Sequence, residues 1–237
     1  MDLYVGVDSC PRGWFFVAIN RVSEWQVGMA ANITELWGLF AHAGLILIDI
    51  PIGLPWEGPR ACDIEARKLL GSARASSVFP TPARESILAD NYRAACRINE
   101  RILGKRLSRQ TWGIARKIGE IDAFLHHFRE ARKKIRETHP ELCYFGLCGR
   151  TLKSKKRPDG IAERLAVLEK HLPGARELFK FSVTTFPRSA VNQDDVLDAC
   201  VASVTARYSE NGLSTVPADL DFDRQGLPME IVYYSAS

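Results

Sequence analysis

The stretch LILIDI at residues 45–50 constrains the fold more than any other in this chain. It is an apolar run broken only by Asp49, the pattern of a strand covered on both faces, and it points to a layered α/β fold. Three more strands are expected before it. LYVGVD (3–8) and WFFVAI (14–19) read as a hairpin across the turn SCPRG, and WQVGMA (25–30) follows. In NITELWGLFAHAG, Asn32 suits an N-cap with Glu35 three residues on. Ile33, Leu36, Trp37 and Phe40 then fall at helical spacing, and Gly44 suits the stop. The order is strand, strand, strand, helix, strand.

The middle of the chain changes character. PIGLPWEGPR (51–60) is a shaped loop, rich in Pro and Gly. A short helix over about 61–70 ends at Gly71, ARASSVFPTPAR punctuates again, and more helix is expected around 88–103. Ile114, Ile118, Ile121, Leu125 and Phe128 recur at helical spacing and predict a long helix over about 110–136, despite Gly113 and Gly119. Residues 55–135 are therefore read as a helical insertion within one domain over 1–237. After it, ETHPELCYFGLCG (137–149) is expected to hold a strand and TLKSKKRPDG a basic loop. IAERLAVLEKHL and VNQDDVLDACVASVTARY (191–208) read as helices, and MEIVYY as an edge strand.

The net charge is only +4, yet residues 101–157 hold 16 Lys or Arg against 5 Asp or Glu, leaving 16 and 23 elsewhere. Solvated helix faces would account for that excess. So would a phosphate-facing surface, because Lys and Arg hold nucleic-acid backbones without reading sequence. No run approaches the ~18 apolar residues of a membrane span. MDLYVGVD has neither the basic start nor the apolar core of a signal peptide, so a cytoplasmic location and no membrane partner are expected. The six cysteines form no CxxC pair and meet no His at metal-ligand spacing, and are expected to be reduced. Nothing in these patterns speaks to oligomeric state.

The acids carry the chemistry. Asp8 and Asp49 each end an apolar strand. A turn acid would do the same, but if the two strands are parallel neighbours both carboxylates lie where ligands bind in open α/β sheets. The helix after residue 192 adds Asp194, Asp195 and Asp198. With Asn192 as N-cap, the first two sit where the helix dipole favours acids. Asp198, one turn further in, is explained less well by the dipole and is the strongest functional candidate there. Glu141 follows His-Pro at the start of the expected strand and is either a turn acid or part of the set. Converging carboxylates without thiolate or obligatory His suit Mg²⁺ or Mn²⁺, with Asp8, Asp49 and Asp198 as ligands.

An acid on the first strand, an acid ending the fourth, and a helix carrying DxxD together resemble the ribonuclease-H-like superfamily. GVDSCPRGW (6–14) is similar to the first-strand signature of Holliday-junction resolvases, and DVLDA (195–199) to their final acidic helix. Nearly end to end, the chain resembles domain-of-unknown-function family 429, a predicted ribonuclease-H-like nuclease family. The phrases that carry this are IDIPIGLP (48–55), RACDIEARKLLG (60–71), SSVFPTP (76–82), LSRQTWGIARKIGEID (107–122), THPELCYF (138–145), SKKRPDGIAERL (154–165) and DDVLDA (194–199). The resemblance implies a ribonuclease-H-like mixed five-stranded sheet flanked by helices, with a helical insertion after the fourth strand. It also implies a metal site built from Asp8, Asp49 and the DDVLDA acids.

Asp195 or Glu141 would assist there, and Lys153, Lys155, Lys156 and Arg157 would contact phosphates of a nucleic-acid partner. Arg60, Arg74, Ser76, Ser77 and Gln110 either line a substrate pocket or fix the insertion on the sheet. Two other readings stand beside a nuclease. One is phosphoryl transfer or hydrolysis on a small nucleotide-like metabolite, and the other is a nucleic-acid-binding module without chemistry.

Overall fold

Strand β1 (Tyr4–Cys10) is the middle of a five-stranded mixed sheet. The structure, a computed structural model, describes residues 2–235. β1 pairs antiparallel with β2 (Gly13–Ile19), which pairs antiparallel with β3 (Trp25–Ala30). On its other side β1 runs parallel to β4 (Leu45–Asp49), and β4 runs parallel to β5 (Ile135–Glu137). The order is β3–β2–β1–β4–β5, and the α/β class expected of the sequence is the class observed, consistent with a ribonuclease-H-like fold.

Helix α1 (Ile33–Phe40) links β3 to β4, and Asn32 caps it as expected, accepting from the Glu35 N–H. Between β4 and β5 lie α2 (Ala61–Arg74), α3 (Arg84–Ile87), α4 (Tyr92–Leu103), α5 (Arg109–Gly113) and α6 (Ala115–His127). After β5 come α7 (Pro140–Cys148), α8 (Pro158–His171), α9 (Ala175–Thr185) and α10 (Gln193–Arg207). The antiparallel pair β6 (Ser214–Phe222) and β7 (Pro228–Tyr233) closes the chain as a separate sheet.

Each face of the main sheet has its own core. Val5, Val7, Trp14, Phe16, Ile46 and Ile48 pack with Ile33, Leu36 and Phe40 of α1 and with Ile118, Ile121 and Leu125 of α6. Tyr4, Phe15, Val17, Leu45 and Leu47 pack on the other side with Leu165, Leu168, Val196, Ala199 and Val201. α10 is buried along nearly its whole length because sheet and helices enclose it, so its sequence shows no apolar stripe. Each fully buried Val or Leu on it contributes about 1.5–3 kcal/mol of burial free energy. No helix among the described residues is long and apolar enough to cross a membrane.

Three expected elements differ from the sequence reading, and α9 and β6 had no expected counterpart. PELCYFGLC is helix α7, not a strand, and β5 stops before it at Glu137. Pro140 in the first turn presets the helical φ, and Gly149 at φ 70° closes the helix. An apolar run alone does not separate the two periods. The helix expected over 110–136 is broken at Ile114 (φ −105°, ψ 3°) after Gly113, and ends at His127. MEIVYY forms β7 against β6 rather than an edge of the main sheet. Its link to that sheet is a bridge from Val232 to Thr138, whose hydroxyl donates to the Val232 carbonyl at 2.6 Å.

Candidate metal centre

Side chains alternate along a strand, so Tyr4, Gly6 and Asp8 of β1 point to the same face as Leu45, Leu47 and Asp49 of β4. That is the α10 face, since Tyr4, Leu45 and Leu47 belong to its core. The parallel register pairs Asp8 directly with Asp49. Gly6 then decides how close α10 comes. A Cβ there would lie 2.0 Å from the Ala199 carbonyl oxygen and 2.2 Å from the Ser203 nitrogen, so only glycine lets the helix backbone rest on β1. This close approach carries Asp198 down to the strand ends. Asp8, Asp49 and Asp198 each present a carboxylate oxygen within 4.8 Å of the others.

The electrostatics follow from that crowding. Burial, then the charges of Asp49 and Asp198, raise the Asp8 carboxyl well above its usual range. Asp49 is pushed up to about 8, by burial first and then by Asp198. Burial also raises Asp198, and Lys155 opposes the rise. Lys155 forms an ion pair with Asp198 and lies 3.9 Å from Asp194. Three carboxylates this close ionise together only when positive charge is brought to them. Their donors are all oxygen, which fits a hard divalent cation of the Mg²⁺ or Mn²⁺ type.

The surrounding acids have other partners. Asp195 closes a capping box: its carboxylate accepts from the Asn192 backbone N–H at 2.8 Å. It stands beside the three rather than among them, raised to about 6 chiefly by burial. Glu141 lies in the first turn of α7 and accepts from the buried Arg164 at 2.5 Å. Its second oxygen is buried without a hydrogen bond, 4.0 Å from the Arg74 guanidinium.

Arg164 also donates to the Lys153 carbonyl, Arg74 donates to the Leu152 carbonyl at 2.7 Å, and Glu163 accepts from the Lys153 N–H at 2.7 Å. The basic loop is thus fastened beside the acids, and Lys155 is delivered to Asp198. Lys153 turns outward to Asp159 at 3.3 Å, as does Arg157 at 3.1 Å, and Lys156 is exposed.

The remaining candidates divide. Arg60 is 2% exposed and grips Glu137 of β5 through two bonds of 2.7 Å while pairing with Asp63 at 2.6 Å. It also donates to the Ile52 carbonyl, so it binds the insertion to the sheet. Ser77 donates to the Arg74 carbonyl at 2.8 Å, whereas Ser76 and Gln110 are exposed.

Sequence reasoning named Lys155 and Lys156 but missed Arg12, Arg116, Lys117 and Arg188, which line clefts at the same helix end. Arg12, Arg116 and Lys117 line a cleft of 720 Å³ with Asn192 and Asp195. Lys155, Lys156 and Arg188 line a second of 220 Å³ with Asn192 and Asp194. Arg12 was in plain view inside the SCPRG turn, but only the fold brings Arg116 and Arg188 to the same helix end.

Fold and site define an α/β protein with a carboxylate cluster at the carboxyl ends of adjacent parallel strands, completed by a helix laid across them. The chain belongs to the family described as protein of unknown function (DUF429), whose model matches residues 6–221. No curated protein and no solved structure matches it.

Proposed function

We propose that the protein is a divalent-metal-dependent phosphodiesterase acting on nucleic acid. The observation that carries this reading is the convergence of Asp8, Asp49 and Asp198 within 4.8 Å on one face of the sheet. These three would hold Mg²⁺ or Mn²⁺, which at such sites stabilises the leaving oxygen of a phosphodiester and activates water. The chain's own part is placement. Lys155 offers an ammonium at the same carboxylates, and the fastened basic loop keeps it there.

A substrate longer than a metabolite is favoured by the two clefts. Both are lined by Asn192 at the start of α10, and each contributes cations, beside Asp195 in one and Asp194 in the other. Phosphate-backbone contacts of that kind position a strand without reading its sequence. The experiment is a panel of single- and double-stranded DNA and RNA, with nucleotides alongside, incubated with Mg²⁺ or Mn²⁺. Polymer cleavage that disappears in Asp8→Asn supports the reading. Turnover of nucleotides alone would transfer it to small phosphorylated metabolites, and polymer binding without cleavage would leave a binding module.

A further inference from the structure

A third cavity lies wholly inside the helical insertion, and the catalytic reading makes no use of it. It has a volume of 370 Å³ and opens between α2, α4 and α5. None of the residues lining it lines either cleft beside the acids. Asp63, Ile64 and Arg67 come from RACDIEARKLLG, Pro80 and Thr81 from SSVFPTP, and Leu107, Ser108 and Thr111 from LSRQTWGIARKIGEID. Of these phrases only LSRQTWGIARKIGEID also reaches the clefts beside the acids, through Arg116 and Lys117.

Its chemistry is graded from floor to mouth. Pro59, Ile64, Pro80, Leu103 and Leu107 give apolar walls. Thr81 is 3% exposed, and its hydroxyl is buried with no hydrogen-bond partner. A native protein rarely leaves such a group unpaired without a reason. Its neighbour Asp63 is equally buried, with one oxygen on Arg60 and the other accepting only the Thr81 N–H at 3.0 Å. The mouth carries Arg67, Lys105 and Arg106. Arg67 is held by its bond to the Val78 carbonyl at 2.6 Å, and Asn99 pins the Lys105 carbonyl at 2.7 Å.

We propose that this cavity binds a nucleoside monophosphate. The flat base would lie between the proline and leucine walls, with its polar edge on the Thr81 hydroxyl and the free side of the Asp63 carboxylate. The phosphate would meet Arg67 and Lys105 at the mouth, where Arg106 is already paired with Glu100. A volume near the lower end of the usual ~300–1,000 Å³ range for small-molecule pockets suits one nucleotide and excludes a strand. The site is independent of the acid cluster and stands whether or not that cluster cleaves nucleic acid.

Isothermal titration of the full chain in chelator with AMP, GMP, CMP and UMP tests this, with the nucleosides and inorganic phosphate as separate arms. At least one monophosphate is expected to bind, with its nucleoside and phosphate alone at least about tenfold weaker, the worth of one charge-assisted contact. Thr81→Val removes only the unpaired hydroxyl and Ile64→Trp fills the cavity from a partly exposed position. Both should weaken binding at least about tenfold while keeping the wild-type melting temperature. Asp8→Asn should bind as the wild type does. The proposal is overturned if no monophosphate binds, if phosphate alone binds equally well, or if Asp8→Asn loses binding that Ile64→Trp retains.

Discussion

Replacing Asp49 by asparagine should make the metal-free protein more stable, although it damages the site. Asp49 stands opposite Asp8 in the parallel register, within reach of Asp198, and its carboxyl is raised from 3.8 to about 8. The folded protein therefore holds a proton on Asp49 that the unfolded chain gives up near pH 4. Below that pH both states are protonated and the group contributes nothing to the difference. As pH rises from about 4 to about 8 the unfolded state ionises first, so stability falls, and above about 8 the loss is complete. At about 1.4 kcal/mol per tenfold change in proton affinity, the loss is at most about 6 kcal/mol. Asparagine escapes it but buries an amide whose own desolvation costs about 1–3 kcal/mol.

The net gain expected at pH 8.5 in chelator is thus about 3 kcal/mol, or a rise in Tm of about 6–12 °C for a chain of this size. At pH 5 Asp49 is already neutral in the folded protein, and the gain should shrink to near nothing or reverse. Adding millimolar Mn²⁺ should raise the Tm of the wild type by more than that of Asp49→Asn, because only a species that binds the folded state stabilises it. Thermal melts at the two pH values, with chelator and with Mn²⁺, check all three statements. Destabilisation by Asp49→Asn in chelator at pH 8.5, equal to that at pH 5, would refute the crowded-carboxylate account.

Lys155→Met should tighten Mn²⁺ binding by at least about tenfold in calorimetry, since a unit charge ~4 Å away is worth up to ~4 kcal/mol at an effective dielectric of ~20. Weaker binding would mean that Lys155 supports the cation rather than competing with it. Gly6→Ala drives a methyl into the backbone of α10 and should cost about 3 kcal/mol or more in urea unfolding, the upper end of overpacking penalties. Arg60→Met strands Glu137 and Asp63 as buried charges and should cost about 3–5 kcal/mol, with part recovered in the double variant carrying Glu137→Gln. If nucleic acid follows the two clefts, Lys156→Ala and Arg188→Ala should each flatten the slope of log affinity against log salt by about 1, without altering any sequence preference.

The first four strands were legible because they obey simple patterns, while the short fifth, Ile135–Glu137, was not. LILID is apolar on both faces, and the hairpin across SCPRG needs only neighbouring pairing. Asp8 near the end of β1 and Asp49 at the end of β4 were legible for the same reason, and Asp198 because a helix dipole does not account for an acid one turn in. What could not be read was any feature set by a contact far along the chain. PELCYF satisfies helix and strand equally, and the decision came from Pro140 and from the tail packed against Gly146. Glu141 was placed at the start of a strand and lies on a helix, paired with Arg164, 23 residues away. Arg60 could be read either as a pocket cation or as a tie holding the insertion on the sheet, and the structure makes it the tie. Its partner Glu137 is 77 residues off, so nothing local marked it as a buried tie.

Charge shows the same gap between line and space, and it bears on substrate. The excess of basic residues over 101–157 overstates a phosphate-facing surface, because much of it is already paired. Arg101 meets Glu85, Arg106 meets Glu100, Arg136 meets Glu230, and Arg150 meets Glu163. The cations that flank the acids without a carboxylate partner among the described residues are Arg12, Arg116, Lys156 and Arg188. Two of these lie outside the basic segment altogether. A phosphate backbone lying over the start of α10 would therefore be held by the first turn, the insertion, the basic loop and the α9–α10 connection at once. No single stretch of sequence carries that surface; the helix resting on Gly6 gathers it beside the same three carboxylates.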